Sequence, residues 1–221
     1  MLPFHDYPDR ASRDCALAVD VAARLAEALR RTGQARLDVS GGRSPAGWLR
    51  ALSRQPLDWG RVTVGLVDER CVPADHPDSN AALVRRALLQ GPAAAAGFRP
   101  LYDGHSVGRS LAEAGASFIP ADVTVLGMGE DGHTASLFPG AAGLEAALSG
   151  QGPAFTVIEP PAAAHRRLTQ TLAALRRSGW VVLSLDGADK RAVWQAAQRG
   201  CDLPVARVLG AVPAAEVRWA P

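Results

Sequence analysis

Residues 35–52 read ARLDVSGGRSPAGWLRAL, and this stretch decides the fold class. Its first five residues form a short, mostly apolar run that is typical of a strand, and Pro45–Leu52 has the apolar spacing of a helix. Gly41 and Gly42 lie between the two, and glycine permits the positive φ and close backbone approach of a tight turn. Ser44 is a suitable cap for the helix, and proline suits its first position. The stretch predicts a strand, a glycine turn and a helix in succession.

The same alternation of strands and helices extends along the chain. Further elements are predicted from apolar spacing, as helices at Arg13–Arg31, Asn80–Leu89, Leu111–Phe118 and Ala188–Gln198, and as strands at Val62–Val67, Val123–Leu126, Phe155–Ile158, Trp180–Leu185 and Ala215–Trp219. This alternation predicts an α/β fold with a single doubly wound, Rossmann-like and mostly parallel sheet that carries helices on both faces. No linker longer than a loop divides the chain, so we expect one domain over residues 1–221. Ligands of such sheets bind beyond the carboxyl ends of the strands.

The composition is that of an ordinary globular protein. Of the 221 residues, 48% are hydrophobic and 21% are charged, which argues against disorder. The 24 basic and 22 acidic residues leave a net charge of +2, too small for a general nucleic-acid-binding surface. Lys190 is the only lysine in the sequence, and every other basic residue is an arginine, which makes this position a candidate for a specific role.

Cysteine usage and the chain ends indicate the cellular setting. Cys15, Cys71 and Cys201 are far apart and form no C-x-x-C pair, which favours reduced thiols over a disulfide framework or a zinc knuckle. Residues 1–10 lack the apolar core of a signal peptide, and no stretch approaches the ~20 apolar residues of a membrane span. We therefore expect a cytoplasmic protein without a membrane or nucleic-acid partner.

Two loops that follow predicted strands carry polar residues. The first, Ser40–Pro45 (SGGRSP), leads into a helix, where backbone N–H groups can hold an anion, typically phosphate; the alternative is a turn without a ligand. It is not a Walker A loop. The second, Asp68–Pro73 (DERCVP), has three charged residues in succession, which suit a polar site or a solvated loop. Asp78–Asn80 is interpreted as capping the helix that follows.

The third loop, Gly127–Gly140, reads GMGEDGHTASLFPG. Its first six residues match G-x-G-x-x-G, but a dinucleotide site needs a continuing helix and an acidic residue about 20 positions further on. Pro139 and Gly140 interrupt the segment, and the residues near position 150 are not acidic, so we reject that interpretation. The glycine turn instead presents Asp131 and His133, a carboxylate and an imidazole that can act together as a general base.

Two further segments each present one cation near a predicted strand end. Arg167 begins the segment RLTQT, and Lys190 ends the segment GADK. A guanidinium and an ammonium group are common phosphate partners. The alternative for Arg167 is a surface salt bridge.

Together these segments resemble the 6-phosphogluconolactonase family, within the group that includes glucosamine-6-phosphate isomerase/deaminase. The matching residues occur in family order, as Ser40–Pro45, Asp58–Asn80 (DWGRVTVGLVDERCVPADHPDSN), Gly127–Gly140, Arg167–Thr171 and Gly187–Lys190. The resemblance implies a Rossmann-like α/β fold and hydrolysis of 6-phospho-D-glucono-1,5-lactone to 6-phosphogluconate in the oxidative pentose phosphate pathway. It implies a phosphorylated sugar lactone as the partner, with neither a cofactor nor a metal in the reaction. We expect a monomer, with a dimer as the alternative.

On this basis each candidate residue has an expected role. The 6-phosphate is expected to contact Ser40, Gly41, Gly42, Arg43, Arg167 and Lys190. Neutral His133 is expected to take a proton from the attacking water, with Asp131 setting its tautomer. Arg70 is expected at the sugar oxygens, the phosphate or the developing charge, and Asp68 at sugar hydroxyls, as a loop-positioning group or in proton transfer. The remaining histidines lack a supporting motif and are interpreted as structural or solvent-facing, namely His5, His76, His105 and His165.

The sequence departs from the family pattern at two positions, and two alternative functions stay open. Ser44 replaces a frequent threonine, and Arg43 stands where a small polar residue is common, either adding a phosphate contact or pointing to solvent. Isomerase/deaminase relatives resemble DGHIAFNEPG in the third loop, with a glutamate where this chain has Phe138, which favours the lactonase. A non-catalytic sugar-phosphate sensor would keep the phosphate contacts and lose the base, whereas Asp131 and His133 are both present.

Overall fold

The structure, a computed structural model, describes residues 2–42 and 44–221. In these ranges the strands are β1 (Phe4–Asp6), β2 (Ala35–Val39), β3 (Val62–Leu66), β4 (Asp68–Arg70), β5 (Gly97–Phe98), β6 (Val123–Leu126), β7 (Phe155–Ile158), β8 (Arg167–Gln170), β9 (Trp180–Asp186) and β10 (Ala215–Ala220). The helices are α1 (Arg10–Thr32), α2 (Ala46–Leu52), α3 (Asn80–Ala87), α4 (Val107–Ala116), α5 (Leu144–Ala147), α6 (Leu172–Leu175), α7 (Gly187–Gln198) and α8 (Pro204–Ala211). Short 3-10 turns occur at Trp59–Arg61 and Gly91–Ala95.

Seven strands form a parallel sheet in the order β1-β10-β9-β6-β2-β3-β5. From β2 the chain adds β3 and β5 on one side and returns to place β6 on the other. The loops after β2 and β6 therefore diverge at the carboxyl edge, which is where open α/β sheets bind ligands. The two strands are in register at Val39 and Val125, and the Ser40 N–H donates to the Val125 carbonyl at 2.9 Å.

Helices cover both faces of this sheet. Along β9, Val182 packs in a buried cluster with α1 and α2, whereas Val181 and Leu183 pack in a second cluster with α7 and α8. Successive side chains of a strand point to opposite faces, so the alternation places one helical layer on each side. Each fully buried aliphatic side chain contributes about 1.5–3 kcal/mol to folding. The predicted α/β class with a doubly wound, mostly parallel sheet is confirmed.

The longest helix, α1, shows how local signals set its bounds. The Asp9 side chain caps it by accepting from the Ser12 N–H at 2.7 Å, and Gly33 ends it in the left-handed conformation with φ 78°. Leu17, Val21 and Leu25 recur on one face and are fully buried. The predicted helix Arg13–Arg31 is confirmed, with three more residues at its start and one at its end.

The prediction of a single sheet is incomplete. A second, antiparallel sheet contains three strands in the order β4-β8-β7. Phe155–Ile158 was correctly predicted as a strand but belongs here, and Arg167–Gln170, for which no strand was predicted, is β8. Strands of three or four residues are too short to show a clear period, and β4 pairs with β8 across about 100 positions of sequence.

In the described ranges, no helix is both long and apolar enough to cross a membrane.

Candidate active site

A cavity of about 250 Å³ opens at the carboxyl edge of the parallel sheet, beside the antiparallel sheet. It collects most of the residues that the sequence singled out, namely Ser40, Gly41, Gly42, Asp68, Arg70, His133, Arg167 and Lys190. Asp131 contacts His133 from outside the lining, and Arg43 lies outside the described residues. Segments that are up to 150 positions apart in sequence thus meet around one space.

The glycine loop after β2 is shaped by close packing. A Cβ on Gly41 would lie 1.7 Å from Asn80 Oδ1, so only glycine lets the loop approach α3 this closely. Gly42 has φ 102°, a conformation that other residues rarely adopt. These two features confirm the predicted turn.

The prediction that Ser44 caps α2 is wrong. The helix begins at Ala46, Pro45 occupies the cap position, and no side chain accepts a hydrogen bond there. Ser44 instead contacts the Asp186 carboxylate; burial raises the pKa of Asp186, but its contacts with Ser44 and Arg13 outweigh burial and lower it. This contact ties the first loop to the end of β9.

The third loop holds an imidazole and a carboxylate together. His133 Nδ1 lies 2.5 Å from Asp131 Oδ1, which also accepts the His133 backbone N–H at 3.1 Å. A Cβ on Gly129 would lie within 2.3 Å of two ring atoms, so this glycine makes room for the imidazole. Because Nδ1 faces the carboxylate it carries the proton, which leaves the lone pair of Nε2 free to act as a base.

Phe138, in the connection between β6 and α5, completes one wall. Its ring lies 4.1 Å from the His133 ring, centroid to centroid, and the Arg167 guanidinium lies 5.8 Å above it. Phe138 is buried, so it presents an apolar face between the imidazole and the guanidinium.

Strand β4 contributes buried carboxylates held by many donors. Asp68 Oδ2 accepts from Ser136 Oγ at 2.6 Å, and the Asp68 carbonyl accepts from Asn80 Nδ2 at 2.8 Å. Glu69, 2% exposed, accepts from four groups, namely the backbone N–H groups of Arg70, Asn80 and Ala81 and the hydroxyl of Ser79. Burial raises the pKa of Glu69, and the three backbone donors offset part of that rise.

This network corrects two interpretations. Asp68 and Arg70 belong to a short strand rather than to a loop. Ser79 does cap α3, accepting from the Ala82 N–H at 3.1 Å, but Asn80 also holds the β4 backbone and approaches Gly41. The contact of Ser136 with Asp68 was not predicted, and no local pattern announces it because the two residues are 68 positions apart.

Three cations face the cavity. The Arg167 guanidinium is mostly buried and donates to the carbonyls of Ala164 and His165, while Arg70 donates to the carbonyl of Asp78. Burial and the neighbouring positive charge of Arg70 lower the pKa of Arg167. Lys190 forms no ion pair with the described residues. An anion between these cations would relieve their repulsion.

Three buried polar atoms of the lining also lack a hydrogen-bond partner within the described part of the chain: Ser40 Oγ, Arg70 Nε and Ser184 Oγ. Buried polar groups are usually hydrogen-bonded, so partnerless ones around a cavity indicate a polar ligand. Ser184, on β9, was not predicted, since it lies within an apolar run that carries no motif.

Comparison with known proteins identifies the family. The family model described as glucosamine-6-phosphate isomerases/6-phosphogluconolactonase matches residues 8–219. The chain belongs to this family. The resemblance inferred from the sequence is therefore confirmed, and the match spans both sheets.

Among members of the family, the 6-phosphogluconolactonase of Pseudomonas aeruginosa is 49% identical over 82% of this chain and 79% of that protein. That of Rhizobium meliloti is 43% identical over 93% of each. The crystal structure of a 6-phosphogluconolactonase from Shewanella baltica superposes with a TM-score of 0.95 at 35% identity, covering 100% of this chain and 98% of that one.

Proposed function

We propose that this protein hydrolyses 6-phospho-D-glucono-1,5-lactone to 6-phosphogluconate. Relatives with 43–49% identity over more than four fifths of the chain are 6-phosphogluconolactonases, which confirms the predicted type of enzyme. The observation that carries the proposal is the His133–Asp131 pair, placed at the rim of a cavity that three cations line. A base and an anion-binding surface in one small cavity suit a phosphorylated ester.

The phosphate is proposed to bind Arg167, Lys190 and the loop Ser40–Arg43. Arg167 and Lys190 supply charge-assisted donors, and the partnerless hydroxyl of Ser40 supplies another. Anchoring the phosphate fixes the position of C1 relative to the base, so binding energy orients the reacting carbon.

His133 is proposed as the general base. In its neutral form Nε2 accepts a proton from water as the water oxygen attacks C1, while Asp131 stabilises the imidazolium that forms. The bond between C1 and the ring oxygen then breaks, and the imidazolium gives its proton to the departing ring oxygen, which becomes a free hydroxyl. The second proton of the water stays on the new carboxylic acid and is released to solvent, which leaves a carboxylate. Phe138, stacked against the ring, holds the imidazole in place and shields one of its faces.

Arg70 and Asp68 are proposed to contact the sugar. Arg70 Nε has no partner among the described residues and is positioned to donate to a sugar oxygen, the phosphate or the developing oxyanion. Asp68, held by Ser136 and Asn80, is proposed to accept from sugar hydroxyls or to position the loop.

We place the reaction in the oxidative pentose phosphate pathway and in the cytoplasm. The three cysteines are free, which supports a reducing compartment. The proposed substrate is a small phosphorylated lactone, and we expect a monomer, with a dimer as the alternative.

The test is lactone hydrolysis by the purified protein. The lactone is generated in situ, the spontaneous rate is subtracted, and the release of ammonia from glucosamine 6-phosphate is measured in parallel. We expect accelerated lactone loss and no ammonia. Binding of 6-phosphogluconate without any acceleration would favour a sugar-phosphate sensor, and ammonia release would favour an isomerase/deaminase.

A further inference from the structure

We propose that His76, Asp78 and His165 form a binding site for a divalent transition-metal ion, with Zn²⁺ as the best match. Each side chain offers one donor atom, and the three donor atoms lie within 4.8 Å of one another. Two imidazoles and a carboxylate are a donor set that zinc takes in proteins. The site lies outside the proposed lactone chemistry and supplies no atom to it.

The distances fit a tetrahedral ion. His165 Nε2 lies 3.2 Å from Asp78 Oδ2, and His76 Nδ1 lies 3.9 Å from the same oxygen. Zinc bonds of about 2.0–2.1 Å place the donor atoms of a tetrahedron roughly 3.3 Å apart. Of the three pairs of donor atoms, the His165–Asp78 pair already has this spacing, and a rotation of the His76 ring would shorten the two pairs that include His76.

The donor atoms are in a suitable state and accessible. The backbone N–H of Asp78 donates to His76 Nδ1 at 3.1 Å, so this nitrogen is unprotonated, and a metal ion would take the place of that hydrogen bond on its lone pair. The side chains of His76, Asp78 and His165 are 36%, 54% and 32% exposed. A hydrated ion can therefore enter, and water can occupy the fourth position.

The cluster joins two segments that border the candidate active site. His76 and Asp78 lie between β4 and α3, and His165 lies between β7 and β8. The Asp78 carbonyl accepts from Arg70, and the His165 carbonyl accepts from Arg167 at 3.2 Å. A bound ion would cross-link the backbone that holds the two arginines.

Charge sets the expected strength and consequence of binding. The guanidinium groups of Arg70 and Arg167 lie next to the cluster and oppose a second cation, so we expect micromolar affinity. The bound ion would add positive charge and rigidity beside the cavity, so we expect 6-phosphogluconate to bind a few-fold more tightly when Zn²⁺ is present. By linkage, 6-phosphogluconate would tighten zinc binding by the same factor.

The test is calorimetric titration of the full chain with ZnCl₂, together with absorption titration with Co²⁺. We expect one site per chain and a tetrahedral Co²⁺ spectrum without a thiolate charge-transfer band. Loss of even an outer-shell partner lowers metal affinity about 10- to 100-fold, so His76→Gln and His165→Gln are each expected to weaken binding at least about tenfold. His105→Gln, an exposed histidine outside the cluster, is the matched control.

Other metal-binding groups are tested separately. His133→Ala and the pair Cys15→Ser and Cys201→Ser should leave zinc binding unchanged, and circular dichroism establishes that every variant is folded. Binding that survives both cluster substitutions, that depends on His133 or the thiols, or that needs millimolar Zn²⁺ would overturn the proposal. These outcomes are independent of lactone hydrolysis, which is measured without added metal.

Discussion

The two sheets contribute to the candidate site in different ways. The parallel sheet presents His133 and Lys190 on segments beyond β6 and β9, whereas the antiparallel sheet presents Arg70 and Arg167 on strands β4 and β8 themselves. His133 has one carboxylate partner and is partly exposed, while the β4 carboxylate Glu69 is buried under four donors. We therefore expect substitutions of the loop residues to change activity without changing the free energy of unfolding, whereas substitutions on the antiparallel sheet should change both.

The largest expected effect comes from the loop side. His133→Ala should lower kcat for lactone hydrolysis about 10²- to 10⁴-fold, because removal of a general base typically costs this much. The free energy of unfolding and the affinity for 6-phosphogluconate should stay near those of the wild type, since the side chain is partly exposed on a loop. Stopped-flow assays with in situ lactone and urea unfolding provide the measurements.

His105→Ala, which removes an exposed histidine far from the cavity lining, is the control for His133→Ala. A His133→Ala protein that retains more than about a tenth of the wild-type kcat would exclude the base role.

The second effect is on the small sheet and is one of stability. Glu69→Ala leaves at least two buried backbone N–H groups without a partner, at about 1–3 kcal/mol each, so the free energy of unfolding should fall by about 2–6 kcal/mol. KM for the lactone should rise as well, because Arg70 and Asn80 lose their support. Urea unfolding followed by circular dichroism measures the change.

Glu145→Ala is the matched substitution for Glu69→Ala. Glu145 is exposed and pairs with Arg207 alone among the described residues, so little change in stability is expected. If the two variants lost equal free energy of unfolding, the stabilising role assigned to Glu69 on the antiparallel sheet would be wrong.

The third effect separates binding from chemistry on the loop side. Lys190→Ala should raise KM about tenfold or more with kcat nearly unchanged, because a hydrogen bond to a charged group contributes about 1.5–3 kcal/mol. Arg191→Ala, on the same helix but paired with Asp6 outside the cavity, should leave KM unchanged. Steady-state kinetics and calorimetry with 6-phosphogluconate measure the change, and a fall in kcat alone would place Lys190 at the reacting carbon instead.

The smallest effect tests the link between the sheets. Asp38 on β2 accepts from Gln170 on β8 at 2.6 Å and from Arg36 at 3.3 Å, and burial raises its pKa. The folded state therefore binds this proton more tightly than the unfolded state does. As pH rises from 3.8 through the folded-state pKa, this carboxyl makes the wild type progressively less stable.

Asp38→Asn removes that titration. The difference between its free energy of unfolding and that of the wild type should increase as the pH rises above 3.8, until the folded-state pKa of Asp38 has been passed. Urea unfolding at several pH values measures this slope, while any constant offset reflects the changed hydrogen bonds. A difference that does not vary with pH would show that the pKa of Asp38 is not raised, and kcat should be unchanged because Asp38 lies outside the cavity lining.

Much of the fold was predictable because its signals are local. The strands Ala35–Val39, Val123–Leu126 and Phe155–Ile158 have the predicted bounds, and α1 follows from an apolar period and its caps. Helix α8 was missed, since a short and mostly apolar stretch of eight residues does not show by its periodicity whether it forms a helix.

The candidate site likewise contains some residues that the sequence predicted and others that it did not. The glycine loop, the His133–Asp131 pair and Lys190 were predictable because each occurs in a compact motif after a strand. Ser136 was not predicted because its role depends on a contact with Asp68, which is distant in sequence. Ser184 was not predicted because only the folded sheet shows that it faces the cavity from β9.

The fold class, the family and the loops that carry the candidate groups follow from the amino-acid sequence alone, because periodicity, caps and motifs depend on neighbouring residues. Only the tertiary structure decided that β4 and β8 pair in a second sheet, that Glu69 supports the backbone around Arg70, and that His76, Asp78 and His165 meet. The physical reason is that hydrogen bonds between short strands and between loops depend on distance in space, which no local pattern encodes.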